Sequence, residues 1–233
     1  MYRAQGMVYA MKKGRLIKTS ILLAVAALLC VPGVIGYKNG AVAVNSMADS
    51  KKIALTFDDG PHPYYTEQLL DGLKERGVHA TFFVMGKHVE LYPEMIERMN
   101  EEGHLIGNHT YSHMQLNKGN GEEFKQELIR TNEVIENLTG QEVQYVRPPY
   151  GTWDKKFEKE LNMFPVLWTI DPLDWCSDNV ACIVQKVTDK AQENAIILMH
   201  DEYKSTVTAA LQIVDALQEQ GYEFVTVDEI LFD

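Results

Sequence analysis

From Lys51 onward, short apolar runs alternate with stretches whose apolar residues recur every three or four positions. The short runs predict strands over 53–57, 80–85, 105–107, 145–147, 165–169, 195–199 and 224–227. The longer stretches predict helices over 65–76, 92–102, 122–138, 179–192 and 206–220. Gly77, Gly103, Gly140 and Gly221 follow four of them, where a helix stop needs a residue free to turn to positive φ. Strand–helix alternation repeated about seven times reads as a parallel α/β sheet, closed or nearly closed. An open doubly wound sheet is the alternative. The first strand–helix turn, Asp58-Asp59-Gly60-Pro61, lacks a Gly-x-Gly-x-x-Gly loop, which argues against nucleotide binding.

The first fifty residues break the pattern. Arg3, Lys12, Lys13, Arg15 and Lys18 precede a 16-residue apolar run over 21–36, with no acid among them. Basic then apolar is the order of a secretory signal, and the run is short for a membrane span of about 20 residues. Ala41-Val42-Ala43 and Ser46-Met47-Ala48 offer small-x-small cleavage sites; an uncleaved membrane anchor is the rival. Leu29-Cys30 is a poor lipoprotein site, and Met11 is an alternative start to Met1. The chain therefore divides into a leader or anchor with a short linker over 1–48 and a catalytic domain over 49–233. The catalytic part is expected to be monomeric and to act outside the cell, at the outer membrane face or in the wall. Membrane contact is expected only through an uncleaved N-terminal segment.

Charge sharpens this division. Residues 1–43 hold 6 of the 22 Lys and Arg and none of the 33 Asp and Glu, so the remainder carries 16 − 33 = −17. Such an acidic body argues against nucleic acid and anionic membrane as ligands. Cys176 and Cys182 are the two cysteines beyond the leader, and spacing leaves open a bridge or two thiols.

The candidate chemistry sits at the ends of the predicted strands. Asp58 and Asp59 close the first strand, and alternation on a strand would point them to opposite faces for two separate jobs. Asn108-His109-Thr110-Tyr111-Ser112-His113 follows the third strand. Four residues apart, the imidazoles of His109 and His113 would share one face of a helical turn. Two imidazoles and one carboxylate make a three-ligand catalytic zinc set with an open position for water. Arg147-Pro148-Pro149-Tyr150-Gly151 reads as a rigid loop that fixes Arg147 and the Tyr150 amide, although a plain turn with a surface Arg would look the same. Asp171-Pro172-Leu173-Asp174-Trp175 offers an indole suited to a sugar face, or else a core Trp with a capping Asp. Leu198-Met199-His200-Asp201 ends the sixth strand and makes His200 a candidate general acid. His62, His79, His88 and His104 carry no assigned role.

Taken together, these five stretches resemble the motifs of the polysaccharide deacetylase family (the NodB homology domain, carbohydrate esterase family 4). The resemblance spans 51–233 with all five motifs in order. It implies a distorted TIM-like barrel of seven or eight β/α units. It implies that Asp59, His109 and His113 bind a divalent metal, usually zinc and sometimes cobalt or another transition metal. It makes Asp58 the general base with Arg147 as its partner, and His200 the general acid oriented by Asp174. Tyr150 would supply the oxyanion N–H, while Trp175 and Leu198 would line the acetyl pocket. The implied reaction is metal-assisted removal of N-acetyl groups from an acetylated glycan, with peptidoglycan N-acetylglucosamine or N-acetylmuramic acid foremost. Chitin-like oligomers, O-acetylated xylan, or a wall module that binds glycan without turnover are the alternatives. The two cysteines lie outside the family pattern.

Overall fold

A computed structural model describes residues 51–231. The leader or anchor expected over 1–48, with its cleavage sites, lies outside the described residues. Along the chain run β1 (Lys51–Asp58), α1 (Tyr65–Glu75), β2 (Thr81–Val84), α2 (Gly86–Leu91), α3 (Pro93–Glu101) and β3 (Leu105–Asn108). They are followed by α4 (Gly121–Thr139), β4 (Tyr145–Val146), α5 (Lys156–Leu161), β5 (Phe164–Pro165) and α6 (Val180–Thr188). β6 (Ala195–His200), α7 (Lys204–Glu219), β7 (Tyr222–Val225) and α8 (Val227–Leu231) complete the unit.

The seven strands form one parallel sheet in the order β5-β4-β3-β2-β1-β6, with β7 also paired to β1. β6 runs beside Ile53–Asp58 along one edge of β1. The other edge is shared, with β7 on its first half and β2 on its second. The ring closes irregularly. The expected fifth strand over 165–169 is split: two residues pair with β4, and Ile170 then bridges to Ile197 of β6. This break is the distortion of the barrel, and it falls where Pro165 removes a backbone donor.

Residue alternation sorts the interior. Ile53, Leu55 and Phe57 of β1 face outward into the main core, which the helices cover, as do Ala195, Ile197 and Met199 of β6. Ala54 and Ile196 instead join Phe83, Val166 and Val227 in a separate inner cluster. The inward positions are therefore Ala54, Thr56 and Asp58 on β1 and Ile196, Leu198 and His200 on β6. The polar ones come last, at the carboxyl ends of the strands.

The five expected helices form with shifts of at most four residues at their ends. α6 begins after Asn179, whose side chain caps it by accepting from the Cys182 amide at 3.0 Å. Three short helices, α2, α5 and α8, were not foreseen, since five or six residues give too few turns for a period to show. Among the described residues no helix is long and apolar enough to cross a membrane. Cys176 and Cys182 are thiols, the first exposed and the second half-buried.

Candidate active site

At the carboxyl ends of the strands a cleft of about 330 Å³ gathers Asp58, Asp59, His109, His113, Tyr150, Trp175, Leu198 and His200, all predicted from sequence. Arg147 and Asp174 stand behind it, fully buried and 2 % exposed. The structure thus brings every predicted site residue to one place.

Asp58 and Asp59 do not diverge by strand alternation. Asp58 ends β1 facing inward, and Asp59 leaves the strand at φ 75°, which swings its carboxylate toward the same cleft. The turn is tight, because a Cβ on Gly60 would lie 2.3 Å from a carboxylate oxygen of buried Asp201. Asp201 in turn accepts a short hydrogen bond from Thr66 Oγ1, and burial pushes it up to about 7. His88 also braces the turn, its Nδ1 lying 2.7 Å from the Asp59 carbonyl oxygen.

The two imidazoles meet by a different route from the one expected. Residues 109–113 form a loop, not a helical turn, and Thr110 and His113 take positive φ of 62° and 64°. His109 Nδ1 lies 2.6 Å from the Arg147 carbonyl, an acceptor only, so Nδ1 carries the proton and Nε2 presents its lone pair. That Nε2 lies 3.4 Å from Asp59 Oδ1, and His113 Nε2 lies 3.5 Å from the same oxygen. Oδ1 of Asp59 is buried and has no hydrogen-bond partner among the described residues. Three ligand atoms lie within 4.8 Å of one another, and two nitrogens with one oxygen suit zinc or a neighbouring transition metal. The residues fit a divalent cation. Burial pushes the Asp59 carboxyl up, but His109, His113 and His200 override it and hold it at about 2. Burial pushes His113 down. Burial opposes the charge on His109 as well, but Asp58 and then Asp59 raise it.

Arg147 is a buried partner and not the surface residue of a plain turn. Its Nη1 donates to Asp58 Oδ1 at 2.8 Å and to Thr56 Oγ1 at 2.6 Å, and Nε donates to the Val166 carbonyl at 3.1 Å. Asp58 Oδ2 is left turned toward His109 Nε2, 3.8 Å away. On the other wall, His200 Nδ1 donates to Asp174 Oδ1 at 3.0 Å. Asp174 Oδ2 accepts from the His200 amide at 2.8 Å and from Thr206 Oγ1 at 2.7 Å, so the carboxylate cannot turn away. Burial pushes the His200 imidazolium down. The Asp174 hydrogen bond and charge, aided by Asp58 and Asp59, outweigh this and raise it to about 9. Tyr150 is exposed at φ 59° in a single 3-10 turn, with its ring 5.0 Å from that of His113. Trp175, 54 % exposed, is a surface indole and not a core one.

Comparison with known proteins decides the family. The model of the polysaccharide deacetylase family matches residues 45–166. The chitooligosaccharide deacetylase of Rhizobium leguminosarum bv. trifolii is 39% identical over 193 residues, covering 75% of this chain and 89% of its own. The chain belongs to the polysaccharide deacetylase family. Its likeness extends to the peptidoglycan-N-acetylmuramic acid deacetylase PdaC of Bacillus subtilis (strain 168), 42% identical over 182 residues. The solved structure of PdaC superimposes with a TM-score of 0.75, covering 78% of this chain and 90% of the solved one. The peptidoglycan-N-acetylglucosamine deacetylase PgdA of Listeria monocytogenes serotype 1/2a (strain 10403S) is 40% identical over 181 residues. The match takes in 78% of this chain but 39% of the length of PdaC or PgdA. The distorted barrel expected from the five motifs is the fold observed.

Several lining groups of this polysaccharide deacetylase family member escaped the sequence reading. Pro148, Trp168, Asp171 and Tyr203 also face the cleft. Pro148 and Asp171 lie inside motifs already singled out; Trp168 lies in the expected fifth strand, which breaks after Pro165 so that alternation no longer marks its face, and Tyr203 lies in the turn before α7. His88, which carries no role in the sequence analysis, lies in the short helix α2 and braces the Asp59 turn. His104 belongs to the opposite end of the strands, where its Nδ1 accepts from the Ala80 amide and burial lowers it to about 4.

Proposed function

We propose that this chain is a metal-dependent hydrolase that removes N-acetyl groups from the amino sugars of a cell-wall glycan. The observation that carries the reading is the unpaired Asp59 Oδ1 facing two imidazole Nε2 atoms, flanked by an Asp58–Arg147 pair and an Asp174–His200 pair. Asp59, His109 and His113 would hold the cation, with zinc the best match to two nitrogens and one carboxylate. When bound, it supplies the positive charge that polarises the amide carbonyl and eases loss of a proton from water.

The remaining roles follow from the side chains. Arg147 occupies Asp58 Oδ1, so Oδ2 is the oxygen placed to take the proton of the attacking water. The Tyr150 amide, set by its turn between Pro149 and Gly151, is assigned to the developing oxyanion. His200 holds its Nδ1 proton on Asp174, so Nε2 is the atom that delivers a proton to the departing sugar amine. Acetate leaves, and a free amine stays on the sugar. Trp175 and Leu198 would shape the acetyl pocket and seat the sugar.

The acid role sets a pH dependence. A group raised to about 9 stays protonated through neutral pH and loses its proton as pH climbs past that value. Turnover should therefore hold to about pH 9 and fall above it. Asp174→Asn removes the charge that offsets burial, so the alkaline limb of the pH–rate profile should move down toward neutral pH. A limb left in place would exclude His200 as the acid.

The substrate proposed is peptidoglycan, on N-acetylglucosamine or N-acetylmuramic acid. Support comes from PdaC and PgdA by name and from the secretory order of the first residues. Chitin oligomers come second, O-acetylated xylan third. A glycan-binding module without turnover would have no use for the Asp58 and His200 pairs. Purified protein should release acetate from peptidoglycan, lose that activity to a chelator, and regain it with Zn²⁺. Release from chitin oligomers or acetylated xylan alone would reassign the substrate, and glycan binding without any acetate would make the chain a binding module.

A further inference from the structure

The loop that carries both imidazoles is held from outside. With Thr110 and His113 at positive φ, it occupies backbone conformations that β-branched and bulky residues rarely adopt, so surrounding contacts must fix it. Those contacts come largely from one face of α4. Asn108 Nδ2 donates to the Leu128 carbonyl at 2.8 Å, just before the loop. Arg130 Nη2 donates to Tyr111 Oη at 2.6 Å, with its guanidinium 3.5 Å from the ring centroid, and Tyr111 donates to Glu90 of α2 at 2.7 Å. Nearest to the second imidazole, Glu127 Oε2 accepts both the Ser112 amide at 2.6 Å and Ser112 Oγ at 3.0 Å.

We propose that Glu127 is a positioning residue for the metal site. It holds the Tyr111–Ser112 peptide through its N–H and the Ser112 side chain through its hydroxyl, and so presets the residue from which His113 and its imidazole depart. Glu127 does not line the cleft and acts only through Ser112. A carboxylate on a backbone N–H is a charge-assisted bond, stronger than a neutral one. The effect belongs to the apparent metal affinity. When only a fraction of molecules hold the ligand-competent loop, the dissociation constant rises by the inverse of that fraction, while the loaded site is unchanged. The inference rests on the metal reading of Asp59, His109 and His113.

The test measures Zn²⁺ affinity by competition with a chromophoric chelator in wild type, Glu127→Ala, Glu127→Gln and, as a control on the same helix, Glu123→Ala. Hydrogen exchange of the Ser112 amide is followed in the metal-free proteins. Glu127→Ala should bind Zn²⁺ about tenfold or more weakly, in the range for loss of a group that orients a ligand. Its Ser112 amide should lose protection while its melting temperature stays at the wild-type value. Glu127→Gln keeps an acceptor and should remain within about threefold of wild type with most of the protection retained. Glu123→Ala should match wild type. If wild type binds Zn²⁺ and Glu127→Ala does so equally well, the inference fails and the metal reading stands. Equal weakening by Ala and Gln would assign the effect to charge and overturn the hydrogen-bond role. A wild-type chain that takes no Zn²⁺ overturns the metal reading and this inference with it.

Discussion

Asp58→Asn should cut acetate release by about 10²–10⁴-fold, the range for a general base, and leave the metal in place. The amide is nearly isosteric, and its oxygen can still accept from Arg147 Nη1, now at 2.8 Å from Oδ1. Arg147 also keeps Thr56 Oγ1 and the Val166 carbonyl as partners. What is lost is the second carboxylate oxygen, the one that faces the cleft. Stability should fall too, because the guanidinium is fully buried and would no longer face a negative charge. The fall should stay below the ~3–5 kcal/mol seen when a buried ion pair loses one partner outright. Acetate release, metal content and melting temperature measured on one preparation separate these effects. A variant that turns over near the wild-type rate would remove Asp58 as the base.

His113→Ala should lose metal and activity together. Asp59 and His109 alone leave two donors where a catalytic zinc site takes three. The loss should exceed the 10–100-fold that accompanies removal of an outer-shell partner, and acetate release should sink to background. Folding should survive, since the His113 side chain is 29% exposed on a loop and supports no core packing. Removing it should shift stability by about 0.5 kcal/mol or less. Metal content by elemental analysis, read beside the melting temperature, tells ligand loss from unfolding. Full activity with no bound metal would end the zinc assignment.

The parts of the site that were legible in the sequence are those governed by strand periodicity. Leu198 and His200 share the inner face of β6, and Asp58 ends the inner face of β1, because side chains two apart on a strand point the same way. What periodicity could not give was the path of the backbone once the strands end. Asp59 and His113 reach the candidate metal site through positive φ, which no hydrophobic pattern encodes. The residues of the motif resemblance do meet in one cleft, but neither strand alternation for the aspartates nor a helical turn for the histidines brings them there. The split of the fifth strand and the short helices were illegible for a related reason. Elements of two to six residues are set by tertiary contacts more than by local pattern. Arg147 shows the same limit, since burial of a charged residue is decided by partners that lie far away in the chain, such as Thr56 and Asp58.

β1 is gripped by three other strands, and the proposed base and acid stand at its end and at the end of its neighbour β6. Leu173, Trp175 and Tyr203, by contrast, sit on exposed turns around the mouth of the cleft. Buried, multiply paired strands are the last segments to open, and exposed turns tolerate exchange. Inheritance can therefore act on the two separately. Descendants of one ancestor can keep the hydrolytic apparatus of β1 and β6 while their rims are rewritten for different glycans, and a graft of rim turns between family members should carry sugar preference with it.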